Sequence, residues 1–123
     1  MLSALPTAPS CARQVCRLQL AEWGLAALSD LGDLIVSELT SNAVRACEYL
    51  GRPAQLGIRL SVRGERVRIE VWDPAPGLPR LTAATEFDET GRGLHLVDAL
   101  SVGRWGTHPS PDGTKIVWAE IGA

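Results

Sequence analysis

Only three of the 123 residues are cysteines, Cys11, Cys16 and Cys47, and no two of them form a CxxC pair. That count gives neither a disulfide framework nor a metal set. It fits reduced thiols used for packing in a cytoplasmic protein. Basic residues are not in surplus either: twelve Lys and Arg against fourteen Asp and Glu leave a net charge of −2. Such a balance offers no footprint for nucleic acid, and no basic amphipathic stretch points to a membrane surface. No apolar run approaches the roughly 18 residues of a membrane span. The opening MLSALPTAPSCARQ lacks a charged start followed by a long apolar run, so no signal peptide is expected. Internal repeats and low-complexity tracts are missing, and no GK[ST] follows a glycine run, which removes a P-loop.

What is present is one domain's worth of core. Hydrophobic residues make up 46% and charged residues 21% of the chain, ordinary values for a globular fold. Residues 1–9, with two prolines, read as a flexible lead-in, and 10–123 as the folded domain. Ser10 is a possible N-cap for a first helix over 10–26, with Val15 and Leu18 at helical spacing. LSDLGD interrupts it. Asp30 or Asp33 then caps a second helix reaching about Leu50, with Ile35, Leu39, Ala43, Ala46 and Leu50 as its apolar stripe. Gly51 and Pro53 end it.

The period then changes from helical to two. QLGIRLSV alternates Leu56, Ile58, Leu60 and Val62 with polar or small residues, and RVRIEVWD does the same with Val67, Ile69 and Val71. A turn containing Gly64 joins them, giving a β-hairpin with one wet face. Arg59, Arg63, Arg66 and Arg68 fall on that face. Pro74 to Gly93 reads as a long loop. GLHLVDALS resumes helical spacing, and VGRWGTH and GTKIVWAEI form two more strands about the turn PSPDG. The order predicts an α+β fold, a layer of helices over a mostly antiparallel, mixed sheet.

Three stretches carry candidate chemistry. In VSELTSNAVRAC, Glu38 and Asn42 are four apart and share a helix face. An amide oxygen is a suitable ligand for a hard cation such as magnesium, and a neighbouring carboxylate can orient or deprotonate a hydroxyl. Taken alone, the pair is better read as a solvated helix face. In VWDPAPGLP, Asp73 ends a strand before a turn holding Gly77. A carboxylate fixed there can accept a hydrogen bond from an amine such as that of adenine, and an Asp-Pro turn closing a hairpin is the plain alternative. In ETGRGLHLV, Gly91 and Gly93 open a helix, where free N–H groups and the helix dipole favour phosphate; an ordinary loop-to-helix junction reads the same way. His95 and His108 have no partner cysteines. The four tryptophans read as core or sheet-surface residues.

In this order, the motifs resemble the nucleotide-binding (GHKL, or Bergerat) domain shared by gyrase, the ninety-kilodalton heat-shock chaperones, histidine kinases and MutL. ELTSNAV, WDPAPGLP, GRGLHLVDAL, WG and GTKIVWAEI are most similar to the small, stand-alone anti-sigma-factor serine kinases of actinobacteria, over roughly residues 10–122. The resemblance implies ATP and Mg2+ as cofactors. It makes Glu38 the catalytic base, Asn42 the magnesium ligand and Asp73 the reader of the adenine amino group. Gly77, Gly91, Gly93 and the following Leu94 become nucleotide contacts, and Thr114 a hydroxyl near adenine. The implied partners are a sigma factor or an anti-sigma-factor antagonist, with homodimers common among relatives. Two positions depart from the pattern. Ala75 replaces the first glycine of Asp-x-Gly-x-Gly, and Ala46 stands where relatives place histidine, with Arg45 beside it as a substitute phosphate contact. The stretch from Pro79 to Gly91 is short for an ATP lid, and no phosphoacceptor helix pair is attached, which argues against a full histidine kinase. Two functions stay open: an ATP-dependent serine/threonine kinase acting on an antagonist, or a catalytically weak module of the same fold that sequesters a sigma factor or other regulator.

Overall fold

The computed structural model describes residues 2–48, 54–74, 89–110 and 114–122, with the side chains of 89–94 outside the description. Its elements run β1 (Leu2–Ser3), α1 (Ala8–Glu22), a 3-10 turn (Ala26–Leu28), α2 (Ser29–Glu48), β2 (Gln55–Arg63), β3 (Arg66–Asp73), α3 (Glu89–Ser101), β4 (Trp105–Pro109) and β5 (Lys115–Gly122). The five strands form one sheet in the order β1-β2-β3-β5-β4, and all of its pairings are antiparallel. This is the expected α+β fold.

Alternation in the sequence becomes two faces of the sheet. Val67, Ile69 and Val71 of β3 stand opposite Ile121, Ala119 and Val117 of β5, and all six are buried. From α2, Ile35, Val36, Leu39, Ala43, Val44 and Cys47 close over them, and Ala12, Cys16 and Leu20 of α1 complete the core. Each fully buried aliphatic side chain contributes about 1.5–3 kcal/mol, which is why these stripes, rather than helix propensity, fix the layer. Gly32 sets how closely the helices approach. A Cβ there would lie 3.1 Å from Cys16 Sγ and 3.2 Å from Leu20 Cδ1.

Several boundaries differ from the sequence expectation. Residues 1–9 are not a loose lead-in throughout: Leu2 and Ser3 pair with Leu56 and Gln55. α1 begins at Ala8 rather than at a Ser10 cap, because Pro9 suits the first helical turn, where its missing N–H is no loss. The helix stops at Glu22, before residue 26. Gly24 takes φ +73, its N–H bonds Ala21 O, and Leu25 N bonds Leu20 O at 2.7 Å. These are the two bonds of a Schellman ending, which needs a residue that tolerates the left-handed region. Neither Asp30 nor Asp33 caps α2. The helix starts one residue ahead of Asp30, and Asp33 is drawn into an ion pair with Arg17 of α1.

α3 also starts earlier than expected. Gly91 and Gly93 are its third and fifth residues, not a turn ahead of it. Each glycine costs a helix about 1 kcal/mol; the packing of Val97 and Leu100 against the core offsets that.

Candidate functional site

α2 runs along β3 in the same direction. Near its start a Cβ placed on Gly32 would lie 3.9 Å from Ile121 Cδ1, at one end of β5, and at its other end Cys47 feels the charges of Asp73 and Lys115. The helix thus carries Glu38, Asn42 and Arg45 toward the end of the sheet where β3 finishes and β5 begins. Asn42 is 7% exposed and Glu38 is half-buried one turn before it. Arg45 Nη2 donates to Asn42 Oδ1 at 2.9 Å. That bond fixes the amide's orientation, since only the oxygen can accept. Asn42 Nδ2 is buried and has no hydrogen-bond partner among the described residues. An unsatisfied buried donor costs about 1–3 kcal/mol, which an oxygen-bearing ligand would relieve.

Asp73 is 1% exposed and stands directly opposite Lys115 in the ladder, with Lys115 Nζ 3.5 Å from Asp73 Oδ1. Lys115 is itself only 8% exposed. Both face the helix layer, since they continue the inward register of Val71 and Val117. The Cys47 thiol is pushed up in pKa, by burial first and by the Asp73 carboxylate second, with Lys115 opposing. Thr114 immediately precedes Lys115, and its carbonyl accepts from Ser110 N at 2.7 Å. Asp73, Thr114 and Lys115 therefore gather at one sheet end beneath the C-terminal part of α2.

Of the residues expected to form the site, Glu38, Asn42, Arg45, Asp73 and Thr114 have described side chains. Gly91, Gly93 and Leu94 have a described backbone inside α3. Gly91 falls among the first four residues of the helix, whose N–H groups lack intrahelical acceptors, whereas Gly93 N–H lies beyond them. Gly77, Ala75 and residues 79–88 of the short segment read as a lid lie outside the described residues, and its last three residues, 89–91, are the start of α3. Lys115 was missed in the sequence. The available signal was the register: with Val71 and Val117 both inward and opposite, the next inward pair is Asp73 and Lys115.

The donor set suits a magnesium nucleotide. Among the described residues no three of His, Cys, Asp and Glu converge as a metal cluster. A magnesium ion bound near Asn42 would accordingly take most of its ligands from phosphate oxygens and water, its usual habit beside nucleotides. The Arg45 guanidinium and the open Nδ2 of Asn42 offer donors to phosphate, and the Asp73 carboxylate offers an acceptor to an amine.

The family model for the histidine kinase-like ATPase domain matches residues 2–117. The chain is also similar to the sensor protein KdpD of Escherichia coli (strain K12), 40% identical over 63 residues. The aligned stretch is 51% of this chain and 7% of KdpD, so the chain spans a small part of that relative's length.

Proposed function

The chain belongs to the histidine kinase-like ATPase family, and from that premise we propose that it is an anti-sigma-type serine/threonine kinase that phosphorylates a small antagonist protein. Membership implies an adenine nucleotide as ligand. The observation that carries the finer reading is Glu38 one turn from the buried Asn42, whose amide oxygen Arg45 holds. In this account Asp73 accepts from the adenine amino group, with Thr114 beside it. Asn42 and Arg45 hold the phosphates, and Gly91 N–H lies on the phosphate side of α3. Glu38 orients the acceptor hydroxyl and takes its proton. Magnesium, when bound, neutralises charge on the phosphates, and the protein's part is positioning.

One observation favours the second reading, a weakly catalytic module that sequesters a sigma factor or other regulator. Asn42 Oδ1 already accepts from Arg45, so a cation must share that oxygen with a guanidinium. Transfer of labelled phosphate from ATP to a candidate antagonist separates the two. The kinase reading expects transfer that requires magnesium, is abolished in Glu38→Gln, and leaves ATP binding largely intact in that variant. Transfer by Glu38→Gln at the wild-type rate removes Glu38 from the mechanism. Firm ATP binding with no transfer to any cognate antagonist puts the sequestering module ahead.

A further inference from the structure

The far side of the sheet, away from the helices, holds a charge arrangement that nucleotide binding does not use. β2 and β3 place Arg59, Arg63, Arg66 and Arg68 on this face, four of the twelve basic residues in a chain of net charge −2. The acidic residues among them are Glu70 and Glu120, with Glu65 in the hairpin turn. Arg59 takes Glu70 at 3.9 Å. Arg66 and Arg68 share Glu120, at 3.7 and 3.4 Å. Arg63 stands directly across from Arg66, a like-charge cross-strand pair that weakens a hairpin. The Nε groups of Arg66 and Arg68 are buried without hydrogen-bond partners among the described residues, although Arg68 Nε is the atom in ion-pair contact with Glu120. Arg68 Cζ lies 4.0 Å from the centroid of the Trp118 ring. Ser61, Arg63, Arg66, Arg68 and Glu120 line a surface pocket of about 280 Å³. Preorganised guanidinium donors in excess of carboxylates are the makings of an anion site.

A second observation says what form the anion takes. β1 pairs with β2 only at Gln55 and Leu56. From Gly57 to Arg63 no described strand covers the outer edge of β2, and an open edge is a template for another strand. A segment added there would place alternate side chains about 5 Å from Arg59, Ser61 and Arg63, on the face that holds the pocket.

We propose that the β2 edge and its arginine pocket dock an extended acidic segment of a partner protein, with carboxylates on alternate residues. The docking surface lies across the sheet from Asn42 and Asp73, so it is independent of the nucleotide assignment.

The test uses the full chain and a fluorescent seven-residue peptide with glutamate at positions one, three and five between valines and threonines. Expected results are saturable binding that weakens several-fold as salt rises from low to physiological strength, and no binding of the lysine counterpart. Arg63→Ala/Arg66→Ala should weaken binding at least tenfold while ATP affinity stays unchanged. Hydrogen exchange on the wild type should show the peptide protecting β2 amides between Gly57 and Arg63, a readout that does not depend on a folded variant. Four results overturn the proposal: equal binding of the lysine peptide, unchanged affinity in the double variant, no edge protection, or full displacement by millimolar inorganic phosphate. Concentration-dependent dimerisation that blocks the peptide also overturns it, by making a second copy of the chain the occupant of the edge.

Discussion

Replacing Lys115 with methionine leaves the Asp73 carboxylate in its buried place without the cation that faces it. The two groups are 3.5 Å apart, and neither is more than a tenth exposed. At an effective dielectric of about 20 their attraction is of order 5 kcal/mol, most of it spent on removing both charges from water. Loss of one partner removes the attraction and keeps the other's desolvation cost, so Lys115→Met should lower unfolding stability by about 3 kcal/mol. For a domain of this size that is a fall of about 10 °C in Tm. Urea unfolding followed by tryptophan fluorescence measures it. Adding Asp73→Asn to Lys115→Met should then recover stability, because the buried carboxylate that Lys115 faced no longer carries a charge. A loss below about 1 kcal/mol in Lys115→Met, or a double variant that loses the sum of the single losses, refutes the reasoning.

Further outcomes follow from the same packing. Burial, aided by the nearby Asp33 charge, pushes the Cys16 thiol from its ordinary 9.0 up to about 11. A thiol that holds its proton more tightly when folded adds stability below pH 9 that is lost between pH 9 and 11. The loss is on the order of 2 kcal/mol and should be absent in Cys16→Ala when alkaline unfolding curves are compared. At pH 8 the exposed Cys11 should react with a thiol reagent while Cys16 and Cys47 stay protected, as peptide mass mapping would report. Gly32→Val should cost about 1–3 kcal/mol in chemical unfolding, because its side chain enters the space of Cys16 and Leu20. Val102, exposed at the end of α3, holds φ 55, a costly conformation for a β-branched residue; Val102→Gly should raise Tm by a few degrees.

Where the sequence repeats a pattern over many residues, the structure follows it. The alternation of Val67, Ile69 and Val71 needed nothing beyond period two, and the stripe from Ile35 to Ala43 nothing beyond the helical repeat. Boundaries were harder, because they depend on contacts between distant segments. The pairing of Leu2 with Leu56 cannot be read from the dipeptide Leu2-Ser3. Gly91 and Gly93 suggested a loop because the packing that offsets their cost comes from Val97 and Leu100, one to more than two turns later. The same holds at the candidate site. Glu38 and Asn42 were legible as neighbours from their spacing, and Asp73 from its place at a strand end. The Lys115 contact required knowing which strands pair. The bond from Arg45 to Asn42 joins residues three apart on one helix, yet spacing alone does not say which of the possible partners a long side chain chooses.

The most direct test of the nucleotide site is calorimetric titration of wild type and Asp73→Asn with ATP in the presence of magnesium, with GTP as the comparison. The account predicts one ATP per chain, discrimination against GTP, and at least a tenfold loss of ATP affinity in Asp73→Asn with the thermal unfolding transition still cooperative. ATP bound by a cooperatively folded Asp73→Asn as tightly as by wild type would contradict it.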